Sequence, residues 1–173
     1  MEVTKLAEKG VKIKGKAAVF GVNPIGGRAK NVVDAVILID RTVPLSSLNV
    51  DENPVVFNGP GEYEVKGVKL TGLGKNGEVA YLGKIDNVDT FIIKASAAAK
   101  AKDLLKECQL AIIDADAEVE ESVIAGLNAN VVVLFGEKVE ELAKVLGKTP
   151  NKTAKFAITK DKLPSELEVV ILE

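Results

Sequence analysis

Along the first half of the chain, apolar residues come in short runs broken by glycine, proline and charged residues. That is the spacing of strands and turns. Residues 11–13 and 17–20 flank Lys14-Gly15-Lys16, which predicts two strands around a glycine turn. Residues 21–27 (GVNPIGG) read as a loop. Residues 35–39 (AVILI) form a continuous apolar run of strand length, so this strand is expected to be buried on both faces and to end before Pro44. Residues 55–57 predict another strand, followed by the strong turn signal Asn58-Gly59-Pro60-Gly61. From 62 to 73 apolar and charged positions alternate, with a bulge or tight bend expected at Gly67. Glu62 and Glu64 fall on the solvent-facing parity. Residues 79–82 and 90–93 are two more strands, with a turn at Asp86-Asn87. Gly26-Gly27 and Gly72-Leu73-Gly74 read as turn chemistry, since neither precedes a helix as a phosphate-binding loop does.

The second half alternates helix and strand. Ser96 is placed to cap a helix running to Glu107, with Ala97, Ala101, Leu104 and Leu105 on its inner side. A buried strand at 110–113 ends in Asp114-Ala115-Asp116, read as a strand terminus and the N-cap of a helix carrying Val119, Val123, Ile124 and Leu127, in preference to a carboxylate pair for magnesium. A strand at 131–135, a helix at 137–146 closed by Gly147, and strands at 154–158 and 168–172 complete the pattern. The expectation is one α/β domain spanning 1–173, two β/α halves fused near residue 95, with no internal repeat.

Composition narrows the chemistry. The chain has 173 residues, and aromatics are scarce (five Phe, two Tyr, no Trp). An aliphatic core large enough to fold without disulfide or metal is expected. A net charge of −2 offers no general footprint for nucleic acid, though Arg28, Lys30 and Arg41 could form a local patch. The single Cys108, read at a helix end, is a buried bystander thiol on this view. No apolar stretch resembles a signal peptide or a membrane span, so the chain reads as soluble and cytoplasmic. There is no histidine. Serine- and cysteine-histidine catalysis are thereby excluded, and the commonest zinc ligand is missing.

Residues 58–68, Asn-Gly-Pro-Gly-Glu-Tyr-Glu-Val-Lys-Gly-Val, resemble the Gly-Pro-Gly-Glu-Tyr-Glu hairpin of a bacterial metallo-β-lactamase-fold subfamily related to ascorbate-phosphate lactonases. Residues 160–164 (KDKLP) followed by 168–172 are similar to that subfamily's ending. The resemblance implies an α/β/β/α sandwich of two mixed sheets with helices on the outer faces. It also implies a metal site at the ends of several strands. The family's His-x-His-x-Asp-His segment falls on residues 40–45, so its ligand positions here are Asp40, Thr42, Pro44 and Leu45. Its Gly-His matches Ala7-Glu8, its Asp-Pro matches Asn23-Pro24, and its His-Leu-Gly-Asp matches Lys94-Ala95-Ser96-Ala97. Its final histidine falls at Gly136. A lysine at a ligand position places positive charge where a cation would bind. On this resemblance Asp40, Thr42, Pro44, Leu45, Lys94 and Gly136 mark a vestigial site, with no metal, no cofactor and no catalytic residue expected. The site should be narrowed or filled, with Asp40 the partner of the Lys94 ammonium.

The function expected is a catalytically inactive fold used for binding, as a self-associating subunit or a partner of an active relative. A metal-independent hydrolase or lactonase using carboxylate or lysine groups at the vacated site is the alternative. A nucleic-acid role, known elsewhere in the superfamily, is third. Which small molecule fills the site, if any, is not legible from the sequence.

Overall fold

The computed structural model describes residues 1–6, 9–27, 29–51 and 53–173. Ala7-Glu8, matched above to a family ligand position, and Arg28 of the possible basic patch lie outside them. In chain order the strands are β1 (Glu2–Leu6), β2 (Gly10–Lys14), β3 (Val19–Val22), β4 (Ala35–Ile37), β5 (Val55–Phe57), β6 (Gly61–Val65), β7 (Val68–Lys75), β8 (Glu78–Ile85), β9 (Val88–Lys94), β10 (Leu110–Asp114), β11 (Val131–Phe135), β12 (Asn151–Thr153), β13 (Lys155–Ala157) and β14 (Glu168–Leu172). Three short helices follow β9, β10 and β11: α1 (Ala95–Lys100), α2 (Glu121–Ala125) and α3 (Val139–Val145). None of these is long and apolar enough to cross a membrane.

The strands form two mixed sheets, one in the order β13-β1-β2-β3-β4-β5 and one in the order β12-β14-β11-β10-β9-β8-β7-β6. Alternate residues of both sheets meet in one core that includes Val3, Ile13, Phe20, Ile37, Phe57, Tyr81, Ile92, Ile112, Val133 and Val170. The opposite parity of the eight-stranded sheet (Phe91, Ile93, Ala111, Ile113, Val132, Leu134) packs with Ala97, Ala98, Val123, Ile124 and Leu142 of the helices. The outer face of the six-stranded sheet carries a smaller cluster, Val33, Val36 and Leu38 with Leu48 and Val50 from the following loop. Residues 35–39 are buried throughout, as a continuous apolar run requires. β6–β7, β7–β8 and β8–β9 turn through Lys66-Gly67, Asn76-Gly77 and Asp86-Asn87, all at positive φ. Such two-residue turns match the twist of the flanking strands. Gly67 is therefore the tight bend, with no bulge.

Several sequence expectations are corrected. The helix read from Ser96 to Glu107 stops at Lys100, and Cys108 lies outside any helix, buried near the Leu127 carbonyl. Asp116 does not cap α2, whose N-cap is Glu120. β1 and β12 were not anticipated, because their alternation rests on Thr and Lys. Gly72 and Gly74 lie inside β7, not in a turn. The Asn58-Gly59-Pro60 segment folds down onto them: a Cβ on Gly72 would collide with the Gly59 carbonyl oxygen, and one on Gly74 with the Pro60 ring. Gly59 (φ 123°) and Gly61 (φ 150°) take positive dihedrals that glycine adopts without steric cost.

Candidate functional site

β9, β10 and β11 run parallel and in register, with Lys94 opposite Asp114 and Asp114 opposite Phe135. Their C-terminal ends therefore open at one rim, where ligands gather in parallel sheets. Period-two parity aims Lys94 and Asp114 to the same side as Ile92 and Ile112, between the sheets. Asp40, three residues beyond β4, reaches the same rim from the other sheet.

The Lys94 ammonium, 18% exposed, lies 3.1 Å from Asp40 Oδ2 and 3.2 Å from Asp116 Oδ2. Asp40 is held by its own turn: Thr42 donates to Asp40 Oδ1 from its backbone N–H (3.0 Å) and its hydroxyl (2.6 Å). Asp116 accepts the Ser96 backbone N–H (2.9 Å) and hydroxyl (2.6 Å), so it caps the first turn of α1 from a neighbouring strand end. Burial alone would push the Asp40 carboxyl up and the Lys94 amine down. The hydrogen bonds and opposite charges outweigh it, leaving Asp40 below and Lys94 above their ordinary values.

Asp114 behaves differently. Burial first, then the Asp116 and Asp40 carboxylates, push its pKa up to about 7, against the opposing pull of Lys94 and Lys9. It is seated against Gly136, whose φ is 106° and whose added Cβ would lie 2.5 Å from Asp114 Oδ1. A side chain at position 136 would displace this carboxyl.

A cleft of about 340 Å³ remains beside the ion pairs, bounded by Asn23, Ile25, Val43, Asp114 and Gly136, with Lys9 and Glu137 paired at 3.2 Å on its exposed side. The positions that the sequence reading expected at a vestigial site are thus divided. Asp40, Lys94 and Gly136 share this cleft; Thr42 holds Asp40 and lines a neighbouring cleft that also contains Asp40 and Lys94. Pro44 and Leu45 line neither, because the chain turns outward into a 3-10 turn at Leu45–Ser47 and leaves Leu45 56% exposed. Sequence reasoning passed over Asp114 and Asp116 as cleft residues. The signal was present in parity: Lys94 and Asp114 continue the inward positions of otherwise apolar strands.

Zinc takes three or four nitrogen, sulfur or oxygen ligands at about 2.0–2.3 Å. The donor set here does not suit it: no histidine exists, Cys108 is buried in the helix-side cluster with its thiol pushed up to about 12 by burial, and two of the carboxylates hold an ammonium. Among the described residues, no group of three or more His, Cys, Asp or Glu side chains is arranged to hold a metal ion.

In structure the chain is similar along its whole length to a protein of Thermotoga maritima assigned to the zinc-dependent hydrolases of the metallo-β-lactamase superfamily, with a TM-score of 0.77 at 15% identity, covering 100% of this chain and 99% of that one. This chain has the metallo-β-lactamase fold. The same fold relates it to a protein of Parabacteroides distasonis assigned as a metal-dependent hydrolase (TM-score 0.61, 9% identity, 99% and 93% covered). It also relates it to the isothiocyanate hydrolase from Delia radicum gut bacteria (TM-score 0.55, 11% identity, 98% and 96% covered). No protein-family model matches the sequence, and no curated protein matches it. Within this metallo-β-lactamase fold, the Lys94 cluster sits at the rim where the parallel strands end.

Proposed function

We propose that this chain keeps the metallo-β-lactamase fold without its metal chemistry and serves in the cytoplasm as a non-catalytic binding subunit, associating with a second copy or with an active relative. The observation that carries the reading is the Lys94 ammonium standing between Asp40 and Asp116 at the strand ends. A protein cation fixed by two carboxylates repels a metal ion from the rim and uses the carboxylates that would attract one.

Two measurements test it. Elemental analysis after dialysis is expected to find well under one zinc, manganese or iron per chain, and about one per chain would overturn the reading. Light scattering is expected to give a mass above that of the 18.3 kDa chain. A purely monomeric solution would remove self-association and leave only a different protein as partner.

One observation favours a second reading, a metal-independent hydrolase or lactonase. Asp114, with a pKa of about 7, lies in the cleft with Lys94, and a carboxyl poised there suits proton transfer at neutral pH. Hydrolysis of simple esters or lactones that is lost in Asp114→Asn would favour this second reading over the first.

A further inference from the structure

The cleft at the strand ends contains two polar groups that the Lys94 cluster leaves unused. Asn23, which lines the cleft, is only 3% exposed; its Oδ1 accepts the Ile39 N–H at 3.1 Å, while its amide N–H2 donates to no described residue. The Asp114 carboxyl likewise accepts no side-chain or backbone hydrogen bond from a described residue. No fully buried side-chain nitrogen or oxygen among the described residues lacks a partner. The unused atoms thus keep some access, and both belong to residues that line the cleft, where a polar group buried to this extent calls for a partner.

Charge selects the class of that partner. Two cations, Lys9 and Lys94, face four carboxylates, Asp40, Asp114, Asp116 and Glu137. The acidic excess disfavours an anion. Both cations are already paired, so neither is free to offset one. Asn23 requires an acceptor, which a simple cation lacks. Ile25 and Val43 supply the apolar wall on which a short hydrocarbon group would lie.

We propose that this cleft binds a small neutral carboxamide, whose carbonyl accepts from the Asn23 amide and whose N–H2 donates to the Asp114 carboxylate. The inference rests on the reading of the rim as free of metal. Burial first, then Asp116 and Asp40, raise the pKa of Asp114, and Lys94 and Lys9 lower it, with Glu137 the other charged group lining the cleft, so the acceptor form grows as pH rises through about 7.

The test is a titration of the full chain with isobutyramide, isobutyrate and isobutylamine, three molecules of nearly one shape and three charges, followed by nitrogen–proton correlation spectra. Isobutyramide is expected to shift the backbone signals of Asn23 and Gly136 saturably, and to bind on the order of tenfold more weakly at about pH 5.5 than at about pH 8. Asn23→Asp keeps the acceptor for Ile39 and removes the donor, so it should weaken binding on the order of tenfold. Asp114→Asn, folded by its own spectrum, should flatten the pH dependence. Absence of saturable shifts, equal response to all three probes, preference for isobutyrate or isobutylamine, or unchanged affinity in Asn23→Asp would overturn the proposal. Stoichiometric zinc in the purified protein would instead overturn the reading beneath it. Metal-free protein that ignores isobutyramide overturns only this inference.

Discussion

The phenolic oxygen of Tyr81, on the eight-stranded sheet, accepts the backbone N–H of Gly59 at 2.9 Å. The same hydroxyl has its one proton to share between the Phe57 carbonyl at 3.0 Å and the Leu38 carbonyl at 3.2 Å, and the Tyr63 hydroxyl donates to the Gly59 carbonyl at 2.9 Å. Two tyrosines thus hold the Asn58-Gly59-Pro60 turn, and burial pushes the Tyr81 phenol up to about 12.

Tyr81→Phe should therefore destabilise the protein by about 1–3 kcal/mol, since it leaves the Gly59 N–H buried without an acceptor. Urea titration reads this directly. An unchanged midpoint would mean that the turn finds another partner.

Gly72→Ala should cost about 3 kcal/mol or more, because its Cβ meets backbone oxygen. Gly67→Ala, at φ 78° with open space around it, should cost only about 1 kcal/mol from dihedral strain. Equal losses would show that the collision at Gly72 is relieved by movement of the Gly59 turn.

Asp114→Asn should stabilise the protein at about pH 8 by about 2–4 kcal/mol and leave it nearly unchanged at about pH 4. The sign follows from a folded pKa of about 7 against an ordinary value of 3.8. The folded state binds the proton more tightly, so the carboxyl carries no penalty below its unfolded pKa. Stability falls as pH rises between the two values, and the penalty is complete above about 7. Denaturant unfolding at several pH values measures the difference, and a variant less stable than the parent at pH 8 would contradict it.

Lys94→Met should destabilise by about 1–3 kcal/mol at neutral pH, since Asp40 and Asp116 then face each other without a cation. Asp40 has a lowered folded pKa, so the stability it draws from Lys94 is present above its unfolded pKa and lost as pH falls through the folded one. The gap between variant and parent should narrow in acid. A gap constant with pH would point to lost packing of the lysine stem.

Strands and turns were legible where side chains alternate and where glycine or Asn-Gly pairs force a bend. The hairpin at Lys66-Gly67 and the run 35–39 needed nothing beyond local chemistry. Helix lengths were not, because α1 is built from alanines that would continue past Lys100, whereas the chain leaves the helix at Ala101 and enters a 3-10 turn at Lys102–Leu104. The Lys94–Asp40 pair was anticipated through family resemblance alone. Asp114 and Asp116 were assigned to local roles because nothing local reveals that β10 lies between β9 and β11, or that Ser96 is the group Asp116 meets. The outward turn at Leu45 was equally hidden, since an exposed leucine has no sequence signature.

The placement of β13 has a kinetic consequence. Val3 of β1 pairs with Phe156 of β13, while β12 and β13, separated by Ala154 alone, belong to different sheets. During synthesis one edge of β1, whose other edge pairs with β2, must stay unpaired until residues 155–157 have left the ribosome. Pairing of such long sequence separation is the kind that slows folding. A nascent chain halted between β11 and β12 would expose the β1 edge as an unpaired strand, open to pairing with another chain.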